Sequence, residues 1–470
     1  MRLSPALAVV LALAAVPVAA HAKPGRPLAP TAPAVGQLTV ERYRLANGLE
    51  VILQPDPSVT STLVEVWYHV GSKDEVLGKS GFAHLFEHLM FEGSKHVAEG
   101  KFDLLLENAG GWNNGTTNAD RTTYYEQVPG NYLPLALWLE ADRLAGLWDA
   151  MNASVLTNQR DVVKNERRQS YENRPYGQAD LLVQQALWPK GHGNWNLTIG
   201  TMADLDAASL EDVEGFWRTY YRPSNATLVV VGAMDVAATK QLIDTLFAWM
   251  PAQAVPVRRT LDAPVEPLAQ AVLLETTDKV QVPKVIVQLR GPEAYGAGAT
   301  DLGIAAQILG GGKTSRLYKR LVFKDRLATE AYAYLSPQFL GSELQIAAVA
   351  RPGVSADALR KAIEEEVQAM TAAPPSEAEV ERARRVEQVA LLSTMENLGS
   401  RANQLAEWAA YTGEPDRLAR SQAELAAVTP ASVDAAARRW LRLDAAVTMI
   451  VRPEPSQPAP AAPAAGGGGR

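Results

Sequence analysis

The sequence predicts an α+β protein of two mixed α/β domains related by duplication. Three observations lead there. The chain has 470 residues, too many for one hydrophobic core and enough for two or three domains. Short β-branched and aromatic runs alternate with amphipathic stretches of helical period, the pattern of sheets packed against helices. The order of these runs in the first half then returns in the second, beyond a proline-bearing stretch at residues 251–270 that reads as a linker.

Composition narrows the chemistry. Hydrophobic residues make up 47% and charged residues 21%, as in ordinary globular proteins. A net charge of -7 gives no reason to expect nucleic acid as a partner. There is no cysteine, so a transition metal must be held by His, Asp or Glu. The chain has only six histidines, so any pair of them at ligand spacing stands out.

Residues 1–22 begin Met1-Arg2, run apolar and end Ala20-His21-Ala22. A basic start, a short apolar core and an Ala-x-Ala end describe a secretory signal peptide. Pro5 and Pro17 argue against a lasting membrane helix, and no other stretch is long and apolar enough to span a bilayer. The mature chain is therefore expected to be exported without a membrane span, most simply to a periplasm. Residues 23–36 form a Pro/Ala leader, and residues 454–470 a Pro/Ala and glycine tail expected to be disordered.

Within residues 37–250 the elements follow in order. Leu38–Leu45 and Leu49–Leu53 are strands joined by an Asn47-Gly48 hairpin turn. Thr62–Val70 is a buried strand. A helix spans about Ser80–Phe91. Gly110–Thr117 and Thr122–Val128 are paired strands. Helices follow at Asn131–Leu147, Val155–Tyr171 and Ser209–Tyr221, then a strand at Ala226–Val231 and a helix at Val236–Met250. Residues 271–453 repeat part of this order. A strand at Lys284–Leu289 precedes a helix at Thr300–Leu309, and a helix at Pro430–Leu441 precedes a strand at Ala446–Val451. Gly310, Gly311 and Gly312 read as a helix-ending turn, because they lack the spacing of a nucleotide loop.

The strongest chemical signal is His84-Leu85-Phe86-Glu87-His88. Four residues apart on a helix, the two imidazoles share one face, about one turn apart. Two neutral imidazoles aimed at one point can hold Zn²⁺, and the adjacent Glu87 can serve as base toward water. The order is His-x-x-Glu-His, the inverse of His-Glu-x-x-His. A catalytic zinc wants three protein ligands, and Glu87 is reserved as base, so a third must come from elsewhere. On the Val155–Tyr171 helix, Glu166 is the carboxylate of choice, which requires two helices to pack face to face.

These features together resemble the inverzincin metallopeptidases, the family of pitrilysin, insulysin and the mitochondrial processing peptidase. The motif helix, the spacing to Asn165-Glu166-Arg167-Arg168 and the Asn-Gly-Thr-Thr strand carry the resemblance, which covers nearly the whole mature chain. It implies two homologous α/β-sandwich domains forming half of a clamshell. It implies His84, His88 and Glu166 as zinc ligands and Glu87 as the base. It also implies that Asn114, Gly115 and Thr116 lie on an edge strand that takes peptide substrate by backbone pairing.

Two positions depart from the family pattern. Where a second, supporting glutamate is usual, two turns before Glu166, stands Gln159. Where active members carry an Arg and a Tyr that hold the substrate carbonyl, stand Val322 and Thr329. The expected function is therefore zinc-dependent peptide hydrolysis by the metal-bearing subunit of a heterodimer, with a homologous partner supplying the Arg/Tyr pair. The rivals are a self-sufficient homodimer with another oxyanion donor and an inactive, metal-binding or scaffolding homologue.

Overall fold

The computed structural model describes residues 38–455. The expected signal peptide, the leader and residues 456–470 of the tail lie outside the described residues.

Six strands build the first sheet. β1 (Glu41–Arg44) and β2 (Glu50–Pro55) form the hairpin expected at Asn47-Gly48, with Gly48 at positive φ as the turn requires. β3 (Ser61–Tyr68) is buried almost throughout. α1 (Phe82–Leu89) and α2 (Lys101–Asn108) follow. β4 (Trp112–Thr117) and β5 (Thr122–Pro129) form the second hairpin. Then come α3 (Leu133–Ala150) and α4 (Ala153–Arg167), the latter running on into a π-helical turn, Arg168–Glu172. α5 (Gly177–Leu187), α6 (Met202–Ala207), α7 (Leu210–Tyr220), β6 (Ala226–Gly232) and α8 (Val236–Phe247) complete the first half. The strand order is β1-β2-β6-β3-β5-β4.

Residues 251–271 contain neither helix nor strand. The second half then supplies β7 (Val272–Asp278), β8 (Lys284–Arg290), α9 (Ala299–Gly310), β9 (Ala328–Ser336) and β10 (Glu343–Ala350). α10 (Ala356–Ala372), α11 (Glu377–Glu396), α12 (Leu398–Thr412), α13 (Leu418–Ala427), α14 (Pro430–Trp440) and β11 (Val447–Pro453) finish it. The sheet order is β7-β11-β8-β10-β9. Gly310 closes α9 and Gly311 caps it, so the glycine run is a helix-ending turn.

Without β1, the two sheets follow one plan. β2, β6, β3, β5 and β4 correspond to β7, β11, β8, β10 and β9. The outer pair is parallel in each (β2 with β6, β7 with β11), and the other pairs are antiparallel. A side-chain detail repeats as well. Arg160 of α4 donates to the carbonyls of Asp206 and Ala208, and Arg384 of α11 donates to those of Ala426 and Val428.

Each half also covers the other's sheet. Leu187 and Val183 of α5 lie in the second half's core, and α5 packs on β7, β8 and β11. In return, α12 packs on β3 and β6. Arg401 of α12 reaches back to Asp56 at 2.7 Å and to Gln54 at 3.0 Å, in a largely enclosed contact. Cover is thus exchanged between the halves.

Truncating Arg401 to Ala is expected to cost about 2 kcal/mol in urea unfolding, the scale of a charge-assisted hydrogen bond. Asp56 is held below the usual carboxylate range, first by its bond to Arg401. That contribution is present above the ordinary carboxyl pKa and is lost as pH falls through the depressed one. The stability gap between wild type and Arg401→Ala should therefore shrink on acidification below about pH 4.

Candidate metal centre

The motif helix is shorter than the sequence reading, which begins it near Ser80. Gly81 is left-handed at φ 87 and serves as N-cap, so α1 starts at Phe82. Gly81 also touches backbone. A Cβ on Gly200 would stand 2.5 Å from Gly81 Cα, so the loop that crosses the helix start has room only for glycine. No side chain of the usual N-cap kind closes this end. Glu75 does so from upstream, accepting from the Gly81 N–H at 3.0 Å and the Ala83 N–H at 2.9 Å. Burial pushes its carboxyl up to about 8 despite those two bonds. Residue spacing alone reads Glu75 as part of a turn, because capping from six and eight residues away follows no local motif.

The buried face of α1 carries Leu85, Phe86 and Leu89 into the first core. Phe86 stacks on Phe216 and Tyr221, and Tyr124 donates to its carbonyl at 3.0 Å. This packing fixes the roll of the helix and turns His84 and His88 toward α4. Their rings stand 4.9 Å apart and nearly perpendicular. Glu166, in the last turn of α4, closes the group. Its Oε2 lies 3.6 Å from His84 Nε2 and 3.3 Å from His88 Nε2.

All three ligand atoms fall within 4.8 Å of one another. Two donors bound at about 2.0–2.1 Å to a tetrahedral zinc stand roughly 3.3 Å apart. The side chains therefore need little rearrangement to fit the ion. Burial, then the neighbouring His88, lowers His84 to about 4, so its imidazole is neutral and free to ligate at ordinary pH. Its Nδ1 is buried without a hydrogen-bond partner. The Glu166 side chain is 42% exposed, so the group opens to solvent on that side.

Glu87, beside His88 on the same helix, packs against β4. A Cβ on Gly115 would stand 3.2 Å from Glu87 Cγ, from Phe91 and from Tyr124. Burial raises the Glu87 carboxyl, and a hydrogen bond from Thr117 opposes the rise. Gly115 and Thr117 share one face of β4, so this strand holds Glu87. Thr117 has no signature of its own in the sequence.

β4 is the outer strand of its sheet. Asn114 Oδ1 accepts from the Gly115 N–H at 2.9 Å. Arg121 donates to both the carbonyl and the hydroxyl of Thr116 at 2.6 Å. Gln159 does not bond the three converging side chains. It donates to Glu92 at 2.7 Å. That places a carboxylate beside the position where the family's usual glutamate is missing. Val322 is 9% exposed and packs in the second core. Thr329 lies on β9 and bonds the Val349 carbonyl at 3.3 Å. Arg351 reaches both places, but its guanidinium is engaged by the Val322 and Ala328 carbonyls.

The second half has no equivalent group. Gly298 caps α9 in the left-handed conformation, as Gly81 caps α1. Counted from these two glycines, Asp301 takes the place of His84 and Ala305 that of His88. Counted from the twin arginines, Ala390 takes the place of Glu166.

Comparison with known proteins agrees with this division. Residues 50–194 match the family model described as insulinase (peptidase family M16), and residues 207–387 match the one described as peptidase M16 inactive domain. The first stretch contains His84, Glu87, His88 and Glu166. The zinc protease PqqE of Helicobacter pylori is 28% identical over 372 residues, covering 78% of this chain and 83% of that protein. An uncharacterised zinc protease of Streptomyces coelicolor is 25% identical, covering 85% of this chain and 87% of its own length. Among solved structures, a protease from Helicobacter pylori superposes with a TM-score of 0.82 at 26% identity, over 89% of this chain and all (100%) of the other. The periplasmic protease PqqL of Escherichia coli shares the fold at a TM-score of 0.71 and 18% identity, with 88% of this chain matching 48% of that one.

A side chain at Gly115 must displace Glu87 or the aromatic pair behind it. Gly115→Ala is expected to destabilise the chain by about 1–3 kcal/mol, as overpacking does. Urea unfolding of Gly115→Ala against wild type measures it.

Proposed function

Because the chain belongs to the insulinase (M16) family of peptidases, we propose that it is a zinc-dependent endopeptidase acting on peptides or unfolded polypeptides. The observation that carries this reading is the convergence of His84, His88 and Glu166 with Glu87 on the same short helix. Relatives named as zinc proteases support it.

His84, His88 and Glu166 would hold the ion through two Nε2 atoms and one carboxylate oxygen. A zinc ion held there would polarise the scissile carbonyl and make the attacking water more acidic. Glu87 takes the proton from that water on its carboxylate and returns it to the leaving amine. Burial raises its carboxyl, which makes it a stronger proton acceptor than a free glutamate. Asn114, Gly115 and Thr116 offer the substrate backbone an edge strand. Because Gly115 packs on Glu87, a peptide laid along β4 is brought beside the base.

At the two positions where the resemblance expects an Arg and a Tyr, Val322 carries no donor and the Thr329 hydroxyl is engaged by the Val349 carbonyl. We therefore assign it the metal-bearing role in a heterodimer whose homologous partner supplies an Arg/Tyr pair. The same two residues favour the second reading, an inactive homologue that keeps the metal donors. A homodimer with another oxyanion donor is the third. We further assign the chain to the periplasm. The sequence of residues 1–22 supports this.

The variant Glu87→Gln separates these readings. For the peptidase, zinc measured by atomic absorption is retained while cleavage of an unfolded polypeptide falls about 10²–10⁴-fold. The cleavage should appear when the Arg/Tyr-bearing partner is added and be weak without it. Equal activity of the isolated chain would overturn the heterodimer, and no cleavage by wild type with the partner would overturn the peptidase.

A further inference from the structure

The duplication exposes a second site. A cavity of about 370 Å³ lies in the second half between α9, β9, α11 and α12. It occupies the place that the helix crossing of α1 and α4, behind β4, fills in the first half. Its volume is within the range of small-ligand pockets, about 300–1,000 Å³.

Two residues that line this cavity, Gly303 and Glu387, set its character. Counted from the capping glycines Gly81 and Gly298, the position of Phe86 is taken by Gly303. Phe86 is fully buried at 0% exposure. Gly303 sits in the middle of α9, and a Cβ built on it would meet nothing within 4 Å. Glycine inside a helix is unfavourable relative to alanine, and here no close contact demands it. The lack of a side chain there leaves the space open. Counted from Arg160 and Arg384, the position of Val163, at 0% exposure, is taken by Glu387. A carboxylate thus stands where the first half buries a valine.

Glu387 lines the cavity with Ile304, Leu391 and Trp408. It makes no ion pair among the described residues, whereas Glu424 on the same cavity is held by Arg417 and Arg420. Burial alone raises the Glu387 carboxyl. A half-buried carboxylate without a partner is costly, and a cation brought to it removes the cost. Ile304, Leu391 and Trp408 beside an unpaired carboxylate, with Glu424 already neutralised by its arginines, suit a positive charge carried on a short aliphatic stem.

We infer that the second half binds an alkyl cation, with Glu387 holding the charge and the space over Gly303 receiving the stem. The chemistry is that of a free alkylamine or of a lysine side chain on a polypeptide. The site is independent of the metal centre, so its test reads binding alone.

Calorimetric titration of the full chain with hexylamine tests it, with hexan-1-ol as the uncharged control. Wild type is expected to bind hexylamine and not hexanol. Glu387→Gln should weaken binding about tenfold or more. Gly303→Leu should abolish it while leaving the melting temperature undiminished, since leucine fills the gap and favours the helix. No heat with hexylamine, or equal binding by Glu387→Gln, overturns the inference; so does equal binding by a folded Gly303→Leu. If Gly303→Leu fails to fold, Glu387→Gln decides. A blocked lysine-containing peptide that displaces hexylamine identifies polypeptide side chains as the source of the cation. Hexylamine binding without such displacement assigns the pocket to free amines.

Discussion

Two imidazoles one turn apart are of use to a metal only if a third donor comes to them, and the packing of α4 across α1 brings it. His84 and His88 are set by helix geometry. Glu166 is set by everything that fixes how the two helices cross. Phe86 locks the roll of α1 against Phe216, Tyr221 and Tyr124. Gly81, Gly200 and Glu75 fix where α1 begins. Arg160 and Arg167 tie α4 to the carbonyls of Ala208 and Gly200, next to the start of α1. A shift of one turn along α4 would move Glu166 by about 5.4 Å, more than the spread of the three ligand atoms. The contacts around the site are therefore mostly contacts that hold helices in register.

The two halves apply the same architecture to different ends. They share the sheet order, the left-handed glycine before the first helix and the arginine that clamps the paired helix. They differ where the helices face each other. In the first half that face carries the ligands and a filled core. In the second, Gly303 and Glu387 line a pocket between the corresponding helices, and Asp301 turns to Ser432 of α14. The exchange of α5 and α12 makes each half depend on the other for cover, so loss of function in one half need not free it to drift structurally.

Much of this was legible in the sequence, for identifiable reasons. The hairpin at Asn47-Gly48, the buried strands β3 and β6 and the paired β4 and β5 announced themselves through turn chemistry and β-branched runs. The duplication was visible from a few elements, and the sheets share the order those elements implied. α2, α5, α6, β7, β9, β10 and the run from α10 to α13 are not among the elements the sequence predicts. Some of their starts carried a local signal, such as Ser376 followed three residues later by Glu379, which closes a capping box on α11. Others had none, because α5 owes its burial to the opposite half's sheet rather than to its own neighbours. At the site, residue types and spacing pointed to His84, Glu87, His88 and Glu166. They could not reveal that Glu75 caps the motif helix, that Thr117 and Gly115 grip Glu87, or that Glu92 stands beside Gln159. Each of these depends on which loops and strands come to lie against α1, and no periodicity records that.

The central claim is that one α1–α4 crossing makes a three-donor zinc site. Zinc K-edge X-ray absorption on the zinc-loaded full chain tests it most directly. The expected spectrum contains two imidazole nitrogens and oxygen donors at about 2.0–2.2 Å, and it loses an oxygen contribution in Glu166→Ala. A spectrum without imidazole scattering, or one unchanged in Glu166→Ala, would contradict it.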